Sequence, residues 1–219
     1  MSSLALMRFL EAAPHRYDAG MRLITLGRVT LLHRLLAEVS VPRPGAHVLE
    51  IGCGTGAVTE QLVARGAVVT ALDQNPEMLE LARERLREAP NGSLTFLEST
   101  AAEIDGLPEA GFDVVVASLC FSEMSESERA YVLKAAFQRL RPEGILAVAD
   151  EVSPGRPWQR VLHALLRLPQ AGLAWLLVGR LTKPLRDLAE EVRAAGFEVR
   201  AEQRWLLGSL TVLQAERPG

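Results

Sequence analysis

Apolar and polar positions alternate along the chain in blocks that predict strands and helices in turn. Segments with helical spacing, such as Ala57–Ala64 and Asn75–Ala89, stand between short apolar runs. Strands that are apolar throughout and are joined by helices are typical of a parallel sheet covered on both faces. The central part of the chain is therefore predicted to be an α/β domain, with strands at 47–51 (HVLEI), 67–72 (AVVTAL), 93–98 (SLTFLE), 112–118 (FDVVVAS) and 144–150 (GILAVAD).

The two ends of the chain follow other patterns. Helical periodicity over Met21–Val39 ends at VPRPG (41–45), and residues 1–40, approximately, are predicted to form an N-terminal helical cap. An apolar helical insertion at about 157–182 follows the fifth strand, and a polar helix is expected over Pro184–Ala195. The last two strands, FEVRAEQRW and SLTVLQAE, are joined by only Leu206–Gly208, which favours an antiparallel pair. Residues 1–219 are expected to form a single domain.

Composition narrows the class of protein. The 219 residues are 48% hydrophobic and 23% charged, with a net charge of −3, which argues against a nucleic-acid partner. Cys53 and Cys120 are too few for a disulfide framework and lack metal-ligand spacing, so a reducing cytoplasm is the expected location and no metal is expected. The most apolar stretch, Leu168–Gly179, is uncharged for 12 residues, whereas a membrane-spanning helix needs about 20.

The segment VLEIGCGTGAV (48–58) is the strongest indication of a ligand site. Gly52, Gly54 and Gly56 follow a buried strand, and a glycine there lets a ligand lie against the main chain. Glu50 stands at the end of that apolar strand, where a carboxylate is unfavourable unless it binds something. Asp73 ends the next strand, in the position from which a carboxylate accepts hydrogen bonds from ribose hydroxyls. A plain glycine-rich turn is the alternative interpretation.

The type of nucleoside ligand depends on Glu50. The letters GCGTGA also satisfy the dinucleotide fingerprint, with Ala57 in the last place, so a nicotinamide or flavin enzyme is an alternative. A pyrophosphate is anionic and gains nothing from a neighbouring carboxylate. A ligand with an ammonium or sulfonium group is stabilised by a neighbouring carboxylate, and Glu50 therefore favours that kind of ligand.

Four motifs in this order, VLEIGCGTG, ALD, FDVVVASLCFSEM and LRPEGILAVAD, resemble the class I S-adenosylmethionine-dependent methyltransferases. The resemblance extends from about Tyr17 to the C-terminus. It implies a Rossmann-like seven-stranded sheet in the order 3-2-1-4-5-7-6 with strand 7 antiparallel and helices on both faces. It also implies transfer of a methyl group from S-adenosylmethionine, with S-adenosylhomocysteine as product. Three shorter stretches, SLCFSEMSESE, YDAGMRLITLGR and GSL, resemble the corrinoid protein-associated methyltransferases within that family.

The resemblance also implies a set of cofactor-binding residues. Tyr17 would close over the carboxylate of the cofactor, and Gln74 and Met78 would flank its adenine, although core packing is an alternative role for Met78. Many relatives have an Asp where this chain has Ala101, so the adenine would be bound by the backbone near Ala102 or by Thr100. The full set is Tyr17, Glu50, Gly52, Cys53, Gly54, Thr55, Gly56, Asp73, Gln74, Met78, Ala102, Glu103, Ser118 and Leu119.

Catalytic residues are less well defined, because methyl transfer depends mainly on alignment of the two reactants and exclusion of water. Titratable groups near the ends of strands 4 and 5, and in the insertion, are the weak candidates: Glu123, Asp150, Glu151 and His163. For the carboxylates a capping or solvated role is the alternative. His15 also lies in a segment expected to cover the site, whereas His33 and His47 are interpreted as structural.

The acceptor is expected to be a small molecule or a cofactor-like molecule, with a corrinoid protein as a further partner. Arg160, His163 and Arg167 form a basic stripe on the apolar insertion, which is expected to carry acceptor specificity. A lid, a homodimer interface and a membrane-surface contact remain open as roles for the insertion. Two other functions also remain open: a non-catalytic S-adenosylmethionine-binding accessory protein and a nicotinamide-dependent oxidoreductase.

Overall fold

A computed structural model describes residues 18, 27–41, 43–90, 92–154, 158, 185–205 and 208–219. The predictions for His15, Tyr17 and His163, and for the insertion apart from Trp158, lie outside the described residues.

Seven strands form one sheet in the order β3-β2-β1-β4-β5-β7-β6. The seventh strand runs antiparallel to β5 and β6, and the other neighbouring pairs are parallel. The predicted order and the antiparallel last strand are therefore confirmed. The strands are β1 (His47–Ile51), β2 (Val68–Asp73), β3 (Leu94–Glu98), β4 (Phe112–Ser118), β5 (Leu140–Glu151), β6 (Glu198–Trp205) and β7 (Leu210–Glu216).

Local capping signals set several helix boundaries. The Asn75 side chain accepts hydrogen bonds from the amides of Glu77 and Met78, and Ser125 forms the predicted capping box with Glu128. The helices are α1 (Arg28–Ser40), α2 (Ala57–Val63), α3 (Pro76–Arg85), α4 (Glu126–Arg139) and α5 (Leu188–Ala194), with short 3-10 helices at Ala101–Gly106 and Phe121–Glu123. Within the described ranges, no helix has both the length and the apolar character needed to cross a membrane.

Both faces of the sheet are buried, as the apolar strands predict. Successive side chains of a strand point to opposite faces. Leu49 belongs to the core cluster that includes residues of α4 and α5, while its neighbour Val48 belongs to the cluster that includes residues of α1, α2 and α3. The carboxyl ends of β1, β2 and β4 are consequently left between two helical layers, where a ligand can enter.

Several element boundaries differ from the predictions, and two of them have a visible cause. The fifth strand begins at Leu140 rather than Gly144, because Leu140 pairs with Phe112 ahead of a register shift in β4. The helix predicted from Pro184 begins at Leu188 instead, where the Asp187 side chain accepts a hydrogen bond from the Glu190 amide. In both cases a tertiary or capping contact sets the boundary.

Candidate functional site

The three-glycine turn joins the carboxyl end of β1 to the start of α2. Gly52, Gly54 and Gly56 have φ values of 70°, 53° and 77°, a region that favours glycine. The Gly52 amide donates to the Leu72 carbonyl at 2.9 Å, which fixes the turn to β2. A Cβ atom at Gly56 would lie 2.9 Å from Leu86 Cδ1, whereas at Gly54 it would meet nothing within 4 Å. Gly54 therefore leaves open space along the main chain, as a ligand lying on the backbone requires.

Asp73, at the end of β2, lies directly beside this turn. Its Oδ2 atom accepts a hydrogen bond from the Gly54 amide at 2.8 Å, and its Oδ1 atom accepts one from the Asn75 amide at 2.9 Å. Burial raises the pKa of Asp73, and these amide donors oppose that effect. A carboxylate has about four acceptor positions, so Asp73 retains capacity for two ligand hydroxyls.

A cavity of about 600 Å³ opens beside Asp73. It lies along the ends of β2 and β4 and the start of the first 3-10 helix. Thr100 and Ala101 contribute to its wall, as does the catalytic candidate Glu123. We call it the larger cavity, and the predicted cofactor residues that line it are Gly52, Gly54, Asp73, Gln74, Met78, Ala102, Ser118 and Leu119.

A second cavity of about 160 Å³, the smaller cavity, lies between the glycine turn and α1. Four residues line both cavities, Gly52, Gly54, Ser118 and Leu119. Leu119 has a positive φ of 55°, a conformation that is costly for a non-glycine residue and that recurs at functional sites. The predicted residues Glu50, Cys53 and Thr55 line only the smaller cavity of the two.

Two residues of the cavity walls, Glu50 and Ser118, carry buried polar atoms without partners. In the described part of the chain, four buried side-chain atoms lack a hydrogen-bond partner, and three of them are Glu50 Oε2, Thr59 Oγ1 and Ser118 Oγ. Glu50 is only 1% exposed, and burial raises its pKa to about 8. The neighbouring Thr59 lowers this pKa, whereas the Asp73 carboxylate raises it. Ionisation of this buried carboxyl group is costly, and a neighbouring cationic ligand would offset that cost. The site thus suits a positively charged ligand.

Asp18 closes the outer wall of the smaller cavity, a role that sequence reasoning did not assign to it. It forms an ion pair with Arg85, and it accepts a hydrogen bond from Thr55 Oγ1 at 2.7 Å. Arg85 Nη1 also donates to Thr55 Oγ1 at 3.2 Å. Asp18 is in this way attached to the glycine turn and to the end of α3. The only sequence signal was the position of Asp18 next to the predicted cofactor residue Tyr17.

His33 was interpreted as structural, but the structure places it in the wall of the smaller cavity. Burial lowers its pKa to about 4, while the Asp18 carboxylate raises it and the Arg85 guanidinium lowers it. Helical periodicity identifies which residues share a face with His33. It does not show that this face of α1 lies opposite the glycine turn, which depends on how α1 packs on α2.

Two predicted residues have structural roles in the described chain. The Glu103 carboxylate accepts hydrogen bonds from the Thr100 amide at 2.8 Å and from Ser99 Oγ at 2.9 Å, which lower its pKa and cap the first 3-10 helix. Gly56 lines neither cavity and instead allows α2 to pack closely on Leu86.

The described catalytic candidates differ in whether they line a cavity. Asp150 is 0% exposed, and its carboxylate accepts hydrogen bonds from the amides of Ser122 at 3.1 Å and Glu151 at 2.6 Å. Burial raises the pKa of Asp150 to about 6. Glu151 is also buried, and neither residue lines the two cavities. Of the described candidates, Glu123 alone lies on a cavity wall, on the side of Asp73.

Comparison with known proteins connects this geometry with one kind of enzyme. A family profile described as a methyltransferase domain matches residues 48–144. An uncharacterized methyltransferase of Synechocystis sp. is 30% identical over 206 residues, which cover 92% of this chain and 91% of the relative. The ubiquinone/menaquinone biosynthesis C-methyltransferase of Vibrio parahaemolyticus is 30% identical over 185 residues, 81% of this chain and 69% of the relative.

A solved structure shares the fold. The 1,6-didemethyltoxoflavin-N1-methyltransferase of Burkholderia thailandensis, with 1,6-didemethyltoxoflavin and S-adenosylhomocysteine bound, has a TM-score of 0.65 at 22% identity. The match covers 94% of this chain and 91% of that one. The profile and both relatives span the glycine turn and Asp73.

Proposed function

Because the chain belongs to the class I S-adenosylmethionine-dependent methyltransferases, we propose that it methylates a small organic acceptor. S-adenosylmethionine is the cofactor of this family. When bound, it supplies an electrophilic methyl group on a positively charged sulfur atom. The residues of this chain would bind the cofactor, orient the acceptor and exclude water.

The observation that carries the proposal is the junction of the two cavities at Gly52, Gly54, Ser118 and Leu119. Asp73 lies on one side of this junction and the unpartnered Glu50 carboxylate on the other. An adenosine group would occupy the larger cavity, with its ribose hydroxyls at Asp73. The positively charged end would then lie at Glu50, in the smaller cavity.

The acceptor class rests on what two similar proteins have in common. The Vibrio relative is named a C-methyltransferase of ubiquinone and menaquinone biosynthesis, and the Burkholderia structure holds 1,6-didemethyltoxoflavin. We carry over only the shared feature, a small organic acceptor.

A second candidate acceptor comes from the sequence. The stretch SLCFSEMSESE resembles the corrinoid protein-associated subgroup, and it motivates a corrinoid or a corrinoid protein as the alternative partner. A cytoplasmic location, and a homodimer formed through the insertion, are likewise proposals that rest on composition and on the apolar pattern.

The test is formation of S-adenosylhomocysteine from methyl-labelled S-adenosylmethionine in the presence of defined acceptors. The panel contains 1,4-dihydroxynaphthalene, 1H-indazole and a cobalt corrinoid, each with a sample that lacks the acceptor. We expect label in a small organic product. Label in the corrinoid alone would favour the second acceptor, and cofactor binding with no labelled product would favour an accessory binding protein.

A further inference from the structure

The methionine end of S-adenosylmethionine carries an ammonium group and a carboxylate on the same carbon atom. Glu50, in the smaller cavity, suits the positive charges of this end. The carboxylate needs a cationic partner of its own, because burial of an unpaired charge is costly. Tyr17, which the family resemblance assigns to this carboxylate, has no positive charge and lies outside the described residues.

Arg85 is the one positively charged group among the described residues that line the smaller cavity. The acidic residues there are Asp18, Glu50 and Glu60, and His33 is neutral near pH 7 because burial lowers its pKa to about 4. The charge of Arg85 acts within this cavity, since after burial it contributes to the lowering of the His33 pKa. A ligand carboxylate in the smaller cavity would therefore find its counter-charge at Arg85.

Helix packing brings Arg85 to this position. Arg85 is the last residue of α3, and its neighbours Ala82 and Leu86 share a face of that helix. A Cβ atom at Gly56 would lie 3.1 Å from Ala82 Cβ and 2.9 Å from Leu86 Cδ1, so the end of α3 packs directly against the glycine turn. The guanidinium of Arg85 is consequently held beside the turn, where its Nη1 atom donates to Thr55 Oγ1 at 3.2 Å.

The Arg85 guanidinium already binds one carboxylate and retains donors for a second. Its Nη2 atom forms the ion pair with Asp18, whose carboxylate also accepts a hydrogen bond from Thr55 Oγ1 at 2.7 Å. A guanidinium has five N–H groups, and the contacts with Asp18 and Thr55 use one on Nη1 and one on Nη2. Within the described part of the chain, the other N–H groups of Arg85 are left for a ligand. The side chain is 25% exposed, so it is fixed in position without being enclosed.

We propose that Arg85 binds the carboxylate of the methionine end of the cofactor, and that Asp18 and Thr55 position its guanidinium for this contact. The inference rests on the proposed function, because it requires that the charged end of the cofactor lies in the smaller cavity. Glu50 then faces the positive charges of the ligand, and Arg85 faces the negative charge. The protein thereby distinguishes S-adenosylmethionine from adenosine derivatives that lack the carboxylate.

Calorimetric titration with two ligands tests this assignment. S-adenosylhomocysteine has the carboxylate, whereas decarboxylated S-adenosylhomocysteine keeps the adenosine, the sulfur atom and the ammonium group. We expect the parent protein to bind S-adenosylhomocysteine at least tenfold more tightly, because hydrogen bonds between an arginine and a carboxylate are charge-assisted. Equal affinity of the parent for the two ligands would overturn the proposal.

Variants of α3 decide whether Arg85 causes the preference. In Arg85→Gln, binding of S-adenosylhomocysteine should weaken at least tenfold, while binding of the decarboxylated ligand stays within threefold of the parent. Arg83→Gln is the matched control, because it removes the same charge from the same helix. Arg83 is exposed, lies over the Phe96 ring at 5.8 Å and lines neither cavity. Both ligands should bind Arg83→Gln within threefold of the parent.

Arginine side-chain NMR of the parent adds a measurement that does not require Arg85→Gln to fold. The Arg85 signal, assigned with Arg85→Lys, should shift on addition of S-adenosylhomocysteine and not on addition of the decarboxylated ligand. The same response to both ligands would overturn the proposal.

Three calorimetric outcomes have different meanings. Equal weakening of both ligands in Arg85→Gln would overturn the proposal, because Arg85 would then have only a structural role at the glycine turn. A preference that persists in Arg85→Gln, or that is lost equally in Arg83→Gln, would overturn it as well. Absence of S-adenosylhomocysteine binding by the parent would instead contradict the proposed function.

Discussion

The Asp73 Oδ2 atom accepts a hydrogen bond from the Gly54 amide at 2.8 Å, so the predicted ribose ligand also holds the glycine turn. The Oδ1 atom of the same carboxylate accepts from the amide of Asn75, the N-cap of α3. One side chain therefore joins the end of β2, the turn after β1 and the start of α3. A ligand that contacts Asp73 acts on a carboxylate that is already fixed in position.

Replacing Asp73 with Ala should weaken binding of S-adenosylmethionine and S-adenosylhomocysteine by more than tenfold. Hydrogen bonds to a charged group are worth about 1.5–3 kcal/mol each, and loss of one exceeds the 1.4 kcal/mol that corresponds to a factor of ten. Glu98→Ala is the matched control, because Glu98 pairs with Asp73 in the sheet but is exposed. Calorimetric titration that finds Asp73→Ala within threefold of the parent would show that Asp73 does not bind the ribose.

Cofactor binding should release protons from Glu50. With a pKa of about 8 the unliganded carboxyl is mostly protonated at pH 7, and a neighbouring cation favours the ionised form. We expect the release of up to about one proton at pH 7, and affinity that increases as the pH rises from 6 to 8. Calorimetric titration in buffers of different ionisation enthalpy measures the number of protons released. Glu50→Gln is the reference, and equal proton release by both proteins would refute the assignment.

The same carboxyl should make the unliganded protein less stable as the pH rises. The pKa of Glu50 is about 8 in the folded state against 4.5 for a solvent-exposed glutamate, so the folded state binds more protons than the unfolded state between these two pH values. Stability therefore decreases with rising pH in that window. Relative to the parent, Glu50→Gln should gain up to about 3 kcal/mol between pH 5 and pH 7. Urea titrations at both pH values measure the unfolding free energies of the two proteins. The same change from pH 5 to pH 7 in the parent and in Glu50→Gln would contradict this prediction.

Two glycines of the turn should respond differently to Ala. At Gly56 a Cβ atom would clash with Leu86 Cδ1 at 2.9 Å and Ala82 Cβ at 3.1 Å, so we expect a loss of about 2–4 kcal/mol in unfolding free energy. At Gly54 the added methyl meets no protein atom within 4 Å, and the loss should be about 1 kcal/mol, from its positive φ. Gly54→Ala should nevertheless weaken S-adenosylhomocysteine binding at least tenfold. Thermal unfolding measures the two losses of stability. Equal losses in Gly54→Ala and Gly56→Ala would contradict a ligand-facing role for Gly54 and a packing role for Gly56.

The apolar insertion at about 157–182 should carry acceptor specificity rather than cofactor affinity. Trp175→Ala and Leu166→Ala are expected to change acceptor turnover or oligomeric state while the dissociation constant for S-adenosylmethionine stays nearly constant. Turnover, sedimentation and calorimetric titration measure the three quantities. Loss of cofactor binding in a variant that remains folded would assign the insertion to the cofactor site instead.

Much of the fold was predictable because its signals are local. A cap such as Asn75 or Ser125 acts over one helical turn. The apolar residues of Phe112–Ser118 indicate a buried strand without information from the rest of the chain. The partnership of the glycine turn with Asp73 was also predictable, because neighbouring parallel strands end at the same edge of a sheet. The sequence by itself therefore determined the sheet, the glycine turn and the edge of the sheet at which the cofactor is predicted to bind.

The tertiary structure alone decided what faces that turn. Asp18 and Arg85 are 67 residues apart in the chain, and His33 reaches the smaller cavity only because α1 packs on α2 with that face inward. No periodicity encodes the contact of one helix with another, since each sequence pattern identifies an apolar face but not its partner. Glu103 belongs to the cofactor set that the family resemblance implies, and only the structure shows that its carboxylate also caps the first 3-10 helix. Local rules act within a few residues, whereas the wall of the smaller cavity opposite the glycine turn is built from contacts between distant segments.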